Sequence, residues 1–309
     1  MELYPTASVG MAVGYGFSHS AEDLLKNADS AMYGAKAKGR NGWLGYSDEM
    51  REKSLLQLKI GNGLRNSIRN NELSVFFQPI VNVKSRNIVG AEALLRWKHK
   101  GENISPVNFI PVAEMTGTIC DIGLWVFKQV CQFQCKYSRQ LEAAGVNYLS
   151  VNVSARQLQD RELVMQFSSI LEETMADANK ILLEVTETAL MQDVDTAMAI
   201  LNDLGGKGLK LAIDDFGTGY SSLEKLVKLP VDSIKIDKAF IDGMIENHES
   251  EMNVKAIINM AQILNKWVIA EGVESEGQYS ILEQFQCDNI QGYLFYKPMP
   301  IDDFLQLLK

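Results

Sequence analysis

Histidine and cysteine are scarce in this chain, with three of the first and four of the second among 309 residues. His19, His99 and His248 lie in polar or loop-like surroundings with no mutual spacing, which supports neither a histidine-built zinc site nor a Ser-His triad. Cys120, Cys131, Cys135 and Cys287 form no CxxC pair. Cys131 and Cys135 stand at helical i,i+4 spacing in WVFKQVCQFQCKY, and buried, reduced thiols are expected. Long apolar runs are missing as well. No stretch reaches the roughly 18 residues of a membrane span, and MELYPTASVG lacks the basic and apolar regions of a signal peptide. The expectation is a cytoplasmic fragment without membrane contact of its own. Positive charge is in deficit, with 30 Lys and Arg against 39 Asp and Glu and a formal net charge of −9. That argues against broad binding of nucleic-acid polymers, which rests on clustered Lys and Arg. An anionic substrate would have to be met by recruited cations.

What is present is a chain 46% hydrophobic, long enough for one barrel-sized domain and a smaller piece. From about residue 54, short β-rich runs alternate with longer helical patterns. The runs are SVFFQPIVNV, IVGAEALLRW, YLSVNVS, ILLEVTE, LKLAIDDF, SIKIDKAF, WVIAEGVE and NIQGYLFY. Helical segments such as GLWVFKQVCQFQCKYSRQLEAAG lie between them. Eight strands in about 250 residues match the size of a (β/α)8 barrel.

In such a barrel, reactive side chains sit at the C-terminal ends of the strands. Asn152 lies between Val151 and Val153, Glu184 between Leu183 and Val185, and Lys235 between Ile234 and Ile236. The alternation that sends Leu209, Leu211 and Ile213 to one face sends Asp214 to the other. Glu92 and Glu271 also fall late in their strands. In IDDFGTGYSSL the pair Asp214–Asp215 reads on its own as a turn or cap, because Asp bonds nearby backbone N–H groups and Gly supplies positive φ. Set beside the other polar strand ends, the pair reads as metal ligation, since clustered carboxylates repel unless cations balance them. The oxygen donors Glu92, Asn152, Glu184, Asp214, Asp215 and Glu271 select hard divalent ions: Mg2+ or Mn2+, with Ca2+ a further candidate. So many carboxylates point to two ions, with Lys235 favouring the hydroxide form of an attacking water.

Nine ordered motifs resemble the EAL family of cyclic di-GMP phosphodiesterases: FFQPIV, EALLRW, SPVNFIPVAEMTG, VNVSARQL, LEVTET, DDFGTGYSSL, KIDKAFI, AEGVE and QGYLF, the resemblance covering about residues 55 to 309. The resemblance implies an α/β fold, a (β/α)8 TIM-like barrel whose first strand runs antiparallel to the rest. It implies hydrolysis of cyclic di-GMP to linear pGpG with two divalent cations, Ca2+ being inhibitory. By resemblance the metal ligands are Glu92, Asn152, Glu184, Asp214 and Asp215, with Glu271 at or near the second ion and also a proposed general base. Lys235 would contact the attacking water. Gln78, Arg96 and Gln291 fall where the family meets substrate, Arg96 with a planar fork suited to phosphate. Glu187 would pin the DDFGTGYSS loop, which borders the family's dimer interface, although a plain first-turn helix carboxylate is the alternative. Glu274 is expected to be structural. A homodimer through the barrel is implied. Three departures are peripheral: Phe77 where Tyr is usual, no Gly in the turn NVKSRN, and Lys100 in place of a frequent Pro.

Residues 1–47, with TASVGMAVG and SAEDLLKNADSAMYGAKAKGRNGWLGY, resemble the C-terminal remnant of a GGDEF diguanylate cyclase domain: a strand, a helix and a closing strand. The signature itself is absent, so cyclase activity is not expected. The implied organisation is 1–47 remnant, 48–70 linker and lead-in helix, and 71–309 barrel, as a fragment of a tandem GGDEF–EAL protein. The competing functional reading is a catalytically silent EAL module acting as a cyclic di-GMP receptor; such modules typically lose a ligand residue, and none is missing here.

Overall fold

The computed structural model describes residues 6–14, 20–37, 41–217 and 229–309. Two compact units emerge, one of residues 1–66 with 107–112, the other of 67–106 with 113–309. The smaller holds β1 (Ser8–Met11), α1 (Ala21–Ala37), β2 (Gly42–Gly45) and α2 (Asp48–Leu64). β1 and β2 pair in parallel, so α1 is their crossover. The helix lies close on β1 because both surfaces are small: Ala31 and Ala35 are buried, and a Cβ on Gly10 would sit 1.9 Å from the Ala28 carbonyl oxygen. The strand, helix and closing strand expected from the sequence are present in that order.

The larger unit contains β3 (Leu73–Asn82), β4 (Ile88–His99), β5 (Glu102–Ile104), α3 (Pro106–Thr116, shared with the first unit), α4 (Thr118–Ala143), β6 (Tyr148–Val153), α5 (Leu163–Thr174) and β7 (Ile181–Thr186). It continues with α6 (Glu187–Gln192), α7 (Val194–Gly206), β8 (Lys210–Phe216), β9 (Ser233–Ile236), α8 (Lys238–Gly243), α9 (His248–Ile263), β10 (Trp267–Glu271), α10 (Glu276–Gln284), β11 (Asn289–Gln291), β12 (Met299–Pro300) and α11 (Ile301–Leu307). Eight strands close on themselves in the order β3, β4, β6, β7, β8, β9, β10, β11. β3 runs antiparallel to both of its neighbours, β4 and β11, while the other pairings around the ring are parallel. This is a TIM-like α/β barrel. The short strands β5 and β12 were not anticipated; each adds at the margin, β5 on β4 and β12 on β3.

Several expected strands end early, for local reasons. SIKIDKAF stops at Ile236 because Asp237 caps α8, its carboxylate accepting from the Ala239 N–H at 2.9 Å. WVIAEGVE stops at Glu271, where Gly272 takes φ +68°. Thr186 and Ser275 cap α6 and α10 in the same way, Ser275 within a capping box with Gln278. Strand ends therefore become helix starts within one to five residues, which holds the mouth of the barrel compact.

Between sheet and helices, Phe77 is fully buried, its ring 4.7 Å from Phe133 and 5.2 Å from Phe304. Such a side chain contributes about 1.5–3 kcal/mol, and the departure from Tyr spares a hydroxyl any need for a partner here. The glycine missing from NVKSRN is replaced by Arg86 at φ +56°, held by a bond from its Nε to the Tyr279 hydroxyl at 3.2 Å and by its guanidinium over the Tyr279 ring at 4.3 Å. Lys100 takes φ +50° in the β4–β5 turn, a conformation closed to the proline common there. The cysteines divide: Cys131 and Cys287 are buried, whereas Cys120 and Cys135 are only half-buried, and all four are free thiols. Among the described residues no single helix is long and apolar enough to cross a membrane.

Candidate active site

Inside the barrel, the side chains alternate by strand parity into layers. Ile80, Tyr148, Leu182, Ala212 and Ile269 pack together in the lumen. Further toward the C-terminal ends of the parallel strands, two residues beyond Leu182, Ala212 and Ile269 and four beyond Tyr148, the same faces carry Glu184, Asp214, Glu271 and Asn152, joined by Glu92 and Lys235. The structure brings together all six residues that the alternation singled out.

Lys235 is fully buried at the centre. Its Nζ lies 2.6 Å from Glu271 Oε1, 2.8 Å from Glu184 Oε2, 3.4 Å from Asp214 Oδ1 and 3.6 Å from Glu92 Oε2. Asp215 joins through a backbone irregularity: it adopts φ +53°, and the β8–β9 register shifts between Ile213 and Phe216. Simple alternation would have turned it away from Asp214. Instead Asp214, Asp215 and Glu271 each offer an oxygen within 4.8 Å of one another.

One ammonium is therefore surrounded by four carboxyl groups, with a fifth, Asp215, beside Asp214 and Glu271. Burial, joined by the charges of Asp214 and Glu92, pushes Glu271 up to about 8 despite Lys235. Burial and the neighbouring Asp214 and Asp237 push Asp215 up to about 6. Glu184 is raised well above the usual carboxylate range, chiefly by burial. Burial also works against ionised Glu92, yet Lys235 and the amides of Gln291 and Asn152 hold it below its ordinary value. Lys235 stays charged far above the normal lysine range because the four carboxylates around it outweigh its desolvation.

These residues fit hard divalent cations. Glu184 Oε1 is buried and finds no hydrogen-bond partner among the described residues, while its other oxygen takes Lys235. Asn152 donates Nδ2 to Glu92 Oε1 at 2.7 Å, which leaves its carbonyl oxygen for another role. Uncompensated oxygen donors with no histidine or cysteine suit Mg2+ or Mn2+.

An open cleft of about 290 Å3 lies over the cluster, lined by Gln78, Glu92, Asp214, Lys238, Glu271, Glu274, Gln291 and Tyr293, among others. Gln291 Nε2 donates to Glu92 Oε2 at 2.7 Å and to Gln78 Oε1 at 3.1 Å, and Gln78 Nε2 donates to the Tyr296 carbonyl at 3.1 Å. Arg96 is half-buried, its guanidinium 5.3 Å from the Phe76 ring centre and bonded to the Leu95 carbonyl; burial lowers its pKa. Glu187 is buried in the first turn of α6, and its Oε2 accepts from the Gly217 N–H at 3.0 Å. The remainder of the loop Glu187 was expected to pin, residues 218–228, lies outside the described residues. Glu274 stands apart from the carboxylate cluster and pairs with Lys238.

Three residues escaped sequence reasoning. Asp237 stands close enough to Asp215 for its charge to act on it, and Lys238 and Tyr293 line the cleft. Asp237 shares strand parity with Lys235 and was open to discovery on that ground. Lys238 and Tyr293 lie beyond their strands, where parity gives no guide.

A sequence model of the EAL domain matches residues 62–298. The chain belongs to the EAL domain family. This EAL chain is 36% identical over 306 residues to the bifunctional diguanylate cyclase/cyclic di-GMP phosphodiesterase MucR of Pseudomonas aeruginosa, covering 98% of the chain and 44% of that protein. It is 34% identical over 302 residues to the cyclic di-GMP phosphodiesterase PdeR of Escherichia coli, covering 97% and 45%. It therefore spans less than half the length of these relatives. The solved PaMucR phosphodiesterase in complex with c-di-GMP matches with a TM-score of 0.76 at 36% identity, over 80% of this chain and 99% of that one.

Proposed function

We propose that this EAL chain hydrolyses one phosphodiester bond of cyclic di-GMP to give linear pGpG. The observation that carries the reading is the buried Lys235 ringed by four carboxyl groups, with Asp215 beside Asp214 and Glu271, at the mouth of an EAL barrel. The similarity to named cyclic di-GMP phosphodiesterases supports the choice of substrate.

In this reading Glu92, Asn152, Glu184, Asp214, Asp215 and Glu271 hold two divalent cations, Mg2+ or Mn2+, with Ca2+ inhibitory. When bound, such ions acidify a water and neutralise charge on the phosphate. Lys235 contributes fixed positive charge beside the attacking water, and Glu271 is ligand and water positioner before it is a base. Gln78, Arg96 and Gln291 contact the dinucleotide in this reading, Gln291 being held in turn by its bond to Gln78. Glu187 keeps the start of the loop after β8 in place by accepting from Gly217. Glu274 acts structurally, through Lys238.

The same proposal includes a GGDEF remnant over 1–47, a linker and lead-in helix over 48–70, a barrel over 71–309, a homodimer through the barrel and a cytoplasmic place of action. Two observations support the remnant. The similarity to bifunctional MucR covers 98% of the chain, and the EAL match begins only at residue 62. Incubating purified protein with cyclic di-GMP in Mg2+, Mn2+ or EDTA, followed by chromatography, tests the activity. Metal-dependent pGpG is the expected product; tight binding without turnover in every condition would make the chain a receptor.

A further inference from the structure

Beneath the carboxylates the barrel carries three hydroxyls that the proposed chemistry does not use. Tyr148 and Ser150 lie two residues apart on β6, and Ser233 lies two residues before Lys235 on β9. Ser150 and Ser233 are fully buried and Tyr148 is 5% exposed. Tyr148 Oη, Ser150 Oγ and Ser233 Oγ find no hydrogen-bond partner among the described residues, so they do not bond to one another either.

The Tyr148 ring lies across the lumen. It packs with Ile80, Leu182, Ala212 and Ile269, and its centroid is 4.9 Å from that of Trp267 on β10. Trp267 is the register partner of Ser233, so the ring from β6 meets a side chain of the strand beside that serine. Gly90 makes the path possible, since a Cβ there would lie 2.6 Å from the ring. Burial and the charge of Glu184 keep the phenol protonated well above its ordinary range, so it remains both donor and acceptor.

A buried hydroxyl left without a partner costs on the order of 1–3 kcal/mol, and three in one lumen is a load that native interiors relieve with ordered water. We propose that the lumen below Lys235 holds a small cluster of ordered water, shared by Tyr148 Oη and Ser233 Oγ and reached by Ser150 Oγ. Tyr148 is thereby a positioning residue: the cluster braces the strands that present Asn152 and Lys235 from below.

Thermal unfolding of the Mn2+-saturated chain tests the shared water, and kinetics test the bracing, the kinetic arm alone resting on the proposed hydrolysis. Tyr148→Phe and Ser233→Ala are each expected to lower Tm by about 2–4 °C, and the double variant by less than the two shifts together, because either change unseats the common water. Turnover of cyclic di-GMP by Tyr148→Phe is expected to fall several-fold in kcat with KM unchanged. A Tm that rises or stays level in Tyr148→Phe would mean an unpaired hydroxyl had been removed and would overturn the proposal, as would fully additive Tm shifts. Lowered Tm with unaltered kcat would overturn the bracing role. A chain inactive on cyclic di-GMP leaves the unfolding test standing and refutes only the hydrolysis.

Discussion

Two layers of one barrel, two residues apart along the same strands, have opposite characters. At the lower level stand Gly90, Leu182, Ala212 and Ile269; at the upper, Glu92, Glu184, Asp214 and Glu271. Both levels face inward, by the same parity. What differs is height: the lower layer buries apolar surface and rewards folding, while the upper gathers charge that folding alone disfavours. The comparison shows where this chain concentrates its stability and where it gives some up for chemistry.

The sharpest way to break the comparison is to neutralise one residue of the upper layer. Glu92→Ala is expected to lower kcat for cyclic di-GMP by on the order of 10^3-fold or more while the far-ultraviolet circular dichroism of the barrel is retained. Full activity would remove Glu92 from the site. The matching change below, Leu182→Ala, should cost about 2–5 kcal/mol in denaturant unfolding. At a temperature where that variant stays folded it should keep most of its activity, the reverse of Glu92→Ala.

A third test turns on pH. The ordinary values for Glu271 and Asp215 are 4.5 and 3.8, and in the fold they rise to about 8 and about 6. A carboxyl whose pKa is raised by folding adds stability that is fully present below its unfolded pKa and is lost as pH rises through the folded one. In EDTA, Tm should therefore fall as pH climbs from about 4 through 8. Saturating Mn2+ should flatten that slope. A slope unchanged by the metal would break the link between charge surplus and cation binding. The smallest expected effect lies at the rim: Lys100→Pro imposes negative φ on a turn built at φ +50°, and its Tm should drop by a few degrees with kcat unchanged.

Much of the barrel was legible because its strands keep strict alternation. Glu92, Asn152, Glu184, Lys235 and Glu271 each stand between apolar neighbours or glycine, Asp214 follows an apolar one, and the structure brings all six together. Asp215 was paired with Asp214 by composition, but its place depends on a left-handed residue and a register shift that periodicity does not encode. Strand ends were overextended at Ile236 and Glu271, because a capping aspartate and a glycine at positive φ override β propensity there. The amide chain from Tyr296 through Gln78 and Gln291 to Glu92 joins residues 199 to 218 positions apart, and no local pattern announces it.

The most direct measurement of the central claim is a titration of metal-stripped protein with Mn2+, followed calorimetrically at neutral pH. The account predicts two ions per chain, with affinity sharply reduced in Asp214→Asn. No binding, or the same binding in that variant, would contradict it.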